Sequence, residues 1–108
     1  MVRKLFLAKI FFTDLSDYKL RPVLLIKEYK DEDFLYLPLT TNLELKGITI
    51  NNDDMEKGLL KQTSVVIVPK IGILHKKFLV KEIGMVKKEI FGKVMKEFCS
   101  QFNCKEFA

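Results

Sequence analysis

Apolar residues fall in short runs along most of the chain and change their spacing only near its C-terminal end. Residues 2–12 are rich in β-favouring and apolar types and predict a first strand. Thr13-Asp14-Leu15-Ser16-Asp17 predicts a loop, because Asp, Ser and Thr side chains bond to nearby backbone. Arg21-Pro22 then opens Val23-Leu24-Leu25-Ile26, a continuous apolar run that fits a buried strand. Pro22 suits the first residue of a strand, where its missing donor costs least. Charged residues 27–33 predict a hairpin connection, and residues 34–39 the next strand, ending in Thr40-Thr41-Asn42. Between 43 and 63 only Ile48-Thr49-Ile50 has strand character, while Asn51-Asn52-Asp53-Asp54 and Gly58 mark turns. Residues 64–68 predict a strand stopped by Pro69, and residues 78–83 another closed by Gly84, with His75 in a loop between them.

From Val86 the period becomes helical. Ile90, Val94, Phe98 and Phe102 recur every fourth residue with Phe91 and Met95 beside them, and Lys87, Lys88, Lys93 and Lys96 lie largely off that stripe. A domain this small needs the stripe for its core, which argues against a helix lying on a membrane. Five or six short strands and one terminal helix predict a mainly β fold, a small and mostly antiparallel barrel.

The length of 108 residues fits one domain over 1–108, and 48% hydrophobic with 31% charged residues fits a globular chain with a core. No apolar run is long enough to cross a bilayer. The basic-then-apolar start is too short for a signal peptide and is interrupted by Lys9, so a cytoplasmic location is expected. Cys99 and Cys104 lack partners at ligand spacing and read as two thiols, with no metal site and no cofactor. A disulfide between them would be unusual in a reducing cytosol.

Charge narrows the partners. A net charge of +5 and an isoelectric point near 9.2 suit a polyanion, either RNA or an acidic protein segment. Arg3 and Arg21 are the only arginines among nineteen Lys and Arg. An arginine kept at position 21 in so lysine-rich a chain points to its planar fork of donors, which matches phosphate or carboxylate and which lysine does not reproduce. His75, the only histidine, is a side-chain type able to move protons near neutral pH. Phe11, Phe12, Tyr18 and Tyr36 are candidates for stacking on unpaired bases.

Phe12-Thr13-Asp14-Leu15-Ser16, then Leu20-Arg21-Pro22-Val23-Leu24-Leu25-Ile26, resembles the opening of PemK/MazF-type toxins. The likeness continues in order through Leu37-Pro38-Leu39-Thr40-Thr41-Asn42, Gly58-Leu59-Leu60-Lys61-Gln62-Thr63-Ser64-Val65-Val66, Lys70-Ile71 and Ile83-Gly84. This resemblance implies an SH3-like barrel with a C-terminal helix, usually a homodimer. It implies metal-independent cleavage of single-stranded RNA, in which a 2′-hydroxyl attacks its neighbouring phosphate and leaves a cyclic phosphate and a 5′-hydroxyl. It also implies an antitoxin partner whose flexible acidic segment blocks the RNA groove. Carried over residue by residue, it gives Arg21 and Thr40 as catalytic; Thr41, Asn42, Lys19, Lys70 and His75 are added as RNA-binding candidates. Asp14 and Ser16 read as an ordinary loop turn.

The pattern departs in two places. Arg3-Lys4 stand where many members have Gly-Asp, and Ile67 and Pro69 stand where several carry an arginine and an acidic residue. No clear general base remains. Three readings stay open: an active toxin endoribonuclease, a non-catalytic relative that binds RNA or a protein segment, and an SH3-like module for acidic peptides.

Overall fold

The computed structural model describes residues 1–11, 14 and 16–102. It holds eight strands and one α-helix: β1 Lys4–Phe11, β2 Tyr18–Glu28, β3 Asp33–Thr40, β4 Gly47–Ile50, β5 Met55–Gly58, β6 Ser64–Ile67, β7 Gly72–His75, β8 Leu79–Val86 and α1 Lys88–Gln101. The strands form one curled, half-closed sheet in the order β4-β6-β3-β2-β1-β8-β5, with β7 also pairing β3, and every pairing is antiparallel. The expected mainly β, SH3-like architecture with a C-terminal helix is therefore present.

The apolar run in β2 feeds both faces of the sheet. Leu24 and Ile26 join the larger cluster with Leu5, Leu37, Leu39, Val66 and Val86. Val23 and Leu25 join a smaller one with Ala8, Phe34 and Leu74. Such double burial explains why no polar residue interrupts the run. Helix α1 closes the larger cluster with buried Val94, while Ile90, Phe91, Met95 and Phe98 pack against it. Burying a side chain of that size contributes about 1.5–3 kcal/mol, so the stripe serves the core. Phe102 lies just beyond the helix and is exposed, so the stripe ends a turn earlier than its spacing suggests.

Several boundaries differ from expectation. β2 begins at Tyr18, so Arg21 and Pro22 sit inside a strand and not at its start. Pro22 is accommodated because its register partner is Leu7 in β1, while the β2–β3 ladder stops one residue later, at Val23–Pro38. β8 runs through Gly84 to Val86, because Gly84 faces Gly58 of β5 so closely that a Cβ there would strike the Lys57 carbonyl. Gly58 itself has φ +79°, a region that favours glycine. β5 and β7 escape the sequence pattern, since four residues such as Met-Glu-Lys-Gly carry no alternation. His75 accordingly ends a strand and does not lie in a loop. Asn51–Asp54 forms a 3₁₀ turn with a reciprocal capping box, and Asn52 exchanges two hydrogen bonds with the Leu60 backbone, at 3.0 and 2.6 Å.

The loop reading of Asp14 and Ser16 holds: the Ser16 N–H and hydroxyl both donate to Asp14 Oδ1, at 3.0 and 2.7 Å. Those bonds, the N–H first, hold the Asp14 carboxyl below its usual range. Phe12, Thr13, Leu15 and Cys104, and with them the rest of that motif and one member of the thiol pair, lie outside the described residues; Cys99 is an exposed free thiol. Among the described residues no helix is long and apolar enough to cross a membrane.

Candidate functional site

β3 changes partner at its end. It pairs with β2 as far as Pro38, then with β6 through Leu39–Val66 and Thr40–Val65. The sheet splits at that point, and two prolines, Pro22 and Pro38, border the split, each without an N–H to bridge it. Continuing the register would bring Arg21 opposite Thr40. Instead the two residues line a groove of about 490 Å³ together with Tyr36, Thr41, Ile67, Lys70 and Ile71.

Arg21 is exposed at the groove, and its guanidinium makes no hydrogen bond or ion pair with any described residue. It is therefore not a surface salt-bridge arginine. Thr40 Oγ1 accepts a hydrogen bond from the Asn42 N–H at 3.1 Å, which fixes the hydroxyl oxygen at the strand end. One strand-capping contact and one remaining O–H donor coexist in that side chain. Lys70 adds a second cation, carried by the turn in which its N–H donates to the Ile67 carbonyl at 3.3 Å. Burial pushes the Tyr36 phenol above its ordinary value, so it stays protonated and can donate. Among the described residues, neither carboxylate nor imidazole lines this groove. Ile67, one of the two departures noted above, contributes apolar wall.

Of the sequence candidates, the fold brings together Arg21, Thr40, Thr41 and Lys70. Lys19 is on the same face of β2, two residues before Arg21. Asn42 holds the adjoining turn, its Oδ1 accepting from the Glu44 N–H at 3.1 Å, and does not line the groove. His75 lies in a separate depression of about 440 Å³ with Lys9, Phe11, Asp33, Ile73 and Phe78. Its Nδ1 accepts from the Lys77 N–H at 3.0 Å, capping a short 3₁₀ turn. Sequence reasoning missed Ile71, Leu45 and Phe78 as lining residues. The Lys-Ile-Gly-Ile run at 70–73 has no local signal that would mark a groove wall.

No family model matches the chain, and no curated protein matches it in sequence. Solved structures do match, among them the Mycobacterium tuberculosis toxin MazF-mt6, with a TM-score of 0.70. That match covers 94% of this chain and 97% of the toxin chain at 20% identity. The fold is MazF-like. The architecture that the resemblance implied is thus found along nearly the whole chain.

Proposed function

We propose that this chain is a toxin-type endoribonuclease that cuts single-stranded RNA without a metal, with Arg21 and Thr40 at its centre. The observation that carries this reading is an arginine with no described ion-pair partner, beside a fixed threonine hydroxyl and a lysine, in a groove of a MazF-like fold. In this reaction the 2′-oxygen attacks the adjacent phosphorus and the bond to the 5′-oxygen breaks, giving a 2′,3′-cyclic phosphate and a 5′-hydroxyl. Negative charge gathers on the non-bridging oxygens in the transition state. A guanidinium held in a partly apolar groove stabilises that charge more than bulk water would. Arg21 takes that role, Lys70 adds charge, and the Thr40 and Tyr36 hydroxyls donate. Among the described residues no base lines the groove, so water takes up the 2′-hydroxyl proton and water supplies the proton that the departing 5′-oxygen needs to become a hydroxyl.

An antitoxin with a flexible acidic segment would compete for Arg21 and Lys70, because carboxylates satisfy the same donors. A homodimer and a cytoplasmic location belong to the same reading. The lack of a base in the groove favours one alternative, a catalytically inactive barrel that binds RNA or an acidic peptide through the same cations. The experiment is cleavage of a long single-stranded RNA in EDTA by wild type and Arg21→Ala. Cutting that yields cyclic-phosphate ends and is lost in the variant supports the nuclease. Binding without cutting supports the alternative.

A further inference from the structure

A second depression adjoins the Arg21 groove and shares two of its walls, Ile10 and Tyr36. Its outer rim is aromatic. Phe11 lies edge-on to Phe78 with ring centroids 5.2 Å apart, and tilted against Tyr18 at 5.7 Å. Phe11 and Tyr18 are each 40% exposed, so the packed rings still present open faces and edges to solvent. Lysines are interleaved with them: Lys9 Nζ lies 5.0 Å from the Tyr18 ring and Lys77 Nζ 5.2 Å from the Phe78 ring. The depression also holds His75, whose Nδ1 is occupied by the Lys77 N–H, so the neutral ring carries its proton on Nε2 and presents a donor.

We propose that this depression is a nucleobase subsite for the same RNA strand whose phosphate lies at Arg21. A neighbouring base stacks on the Phe11–Phe78 pair, and His75 Nε2–H donates to its edge. The inference rests on the nuclease or RNA-binding reading of the Arg21 groove and extends it by one base. Single-stranded RNA alternates flat bases with phosphates, and this rim alternates flat rings with ammonium groups. Among the described residues Asp33 is the one acidic residue in the depression, against Lys9 within it and Lys77 at its rim.

The test is fluorescence anisotropy with a labelled 2′-O-methyl RNA ten-mer, which binds but cannot be cut, so the result does not depend on catalysis. A matched ten-mer lacking bases is the control, and the proteins are wild type, Phe11→Leu and His75→Asn. Asn at 75 retains an acceptor for the Lys77 N–H, so the turn is kept if Phe11→Leu proves unstable. Phe11→Leu is expected to weaken binding of the base-bearing strand roughly tenfold. His75→Asn is expected to weaken it roughly fivefold. Neither change alters binding of the abasic strand. Equal affinity of both variants and wild type for the base-bearing strand overturns the subsite, even where Arg21-dependent cleavage stands. Self-association that disappears in Phe11→Leu, or stronger Phe11-dependent binding of an acidic peptide than of RNA, overturns it as well. Phe11-dependent binding without any cleavage of unmodified RNA supports the subsite and rejects only the nuclease.

Discussion

The two arginines sit in opposite regions of the β1–β2 hairpin, and their surroundings could hardly differ more. At one end Arg3 is enclosed by a seam. Its N–H donates to the Leu25 carbonyl and its carbonyl accepts from the Val86 N–H, both at 3.0 Å. Its guanidinium donates to the Val86 carbonyl at 3.1 Å and meets Glu56 at 3.4 Å. At the other end Arg21 stands at a split in the sheet, and its guanidinium has no described partner. The same side chain is structural where strands close and available where they part. An arginine left unpaired at a split between strands is the kind of group that a ligand completes.

The comparison can be broken most forcefully at Arg21. Arg21→Ala should lower RNA cleavage by about 100-fold or more, the scale of losing one charge-stabilising donor, with an unchanged melting temperature. A large drop in melting temperature would show that Arg21 belongs to the fold after all. Arg21→Lys keeps the charge but not the fork and should lower cleavage roughly tenfold; full activity would show that charge alone suffices. Arg3→Ala should do the reverse, costing about 1 kcal/mol in denaturant unfolding for a part-buried hydrogen bond and a weak ion pair, with cleavage retained. Lys70→Gln should reduce the slope of log affinity against log salt by about 0.7, one phosphate contact on a single strand, and an unchanged slope would remove Lys70 from the site. The smallest effect concerns the Asp14 turn. Its depressed carboxyl favours the folded loop above the unfolded-state aspartate range, and that contribution is lost as pH falls through the lower folded value. Amide resonances of Ser16 should therefore shift only in acid, and a shift near neutral pH would contradict the turn.

The strands that carry the core were legible because burial leaves a periodic mark: residues 23–26 and the helical stripe at Ile90, Val94 and Phe98 both proved to be core. Arg21 and Thr40 were legible through composition and resemblance, and the fold brings them to one groove. β5 and β7 were not, because strands of four residues at a sheet edge are specified by partners distant in sequence. His75 was misplaced for that reason: its position follows from pairing with Asp33 on β3, which no local pattern encodes. Phe78 likewise read as the first residue of a strand, whereas it closes a 3₁₀ turn against Phe11.

Of the two side chains that the depressions share, the Tyr36 phenol rests directly on Gly72: a Cβ there would lie 2.5 Å from Tyr36 Cζ. The ring is the movable end of a side chain, so the protein would survive the extra carbon by tilting Tyr36 and redrawing both depressions at once. One methyl group on β7, a strand that supplies none of the groove's cations, is then enough to move the phenol donor and to change the shape of both depressions together.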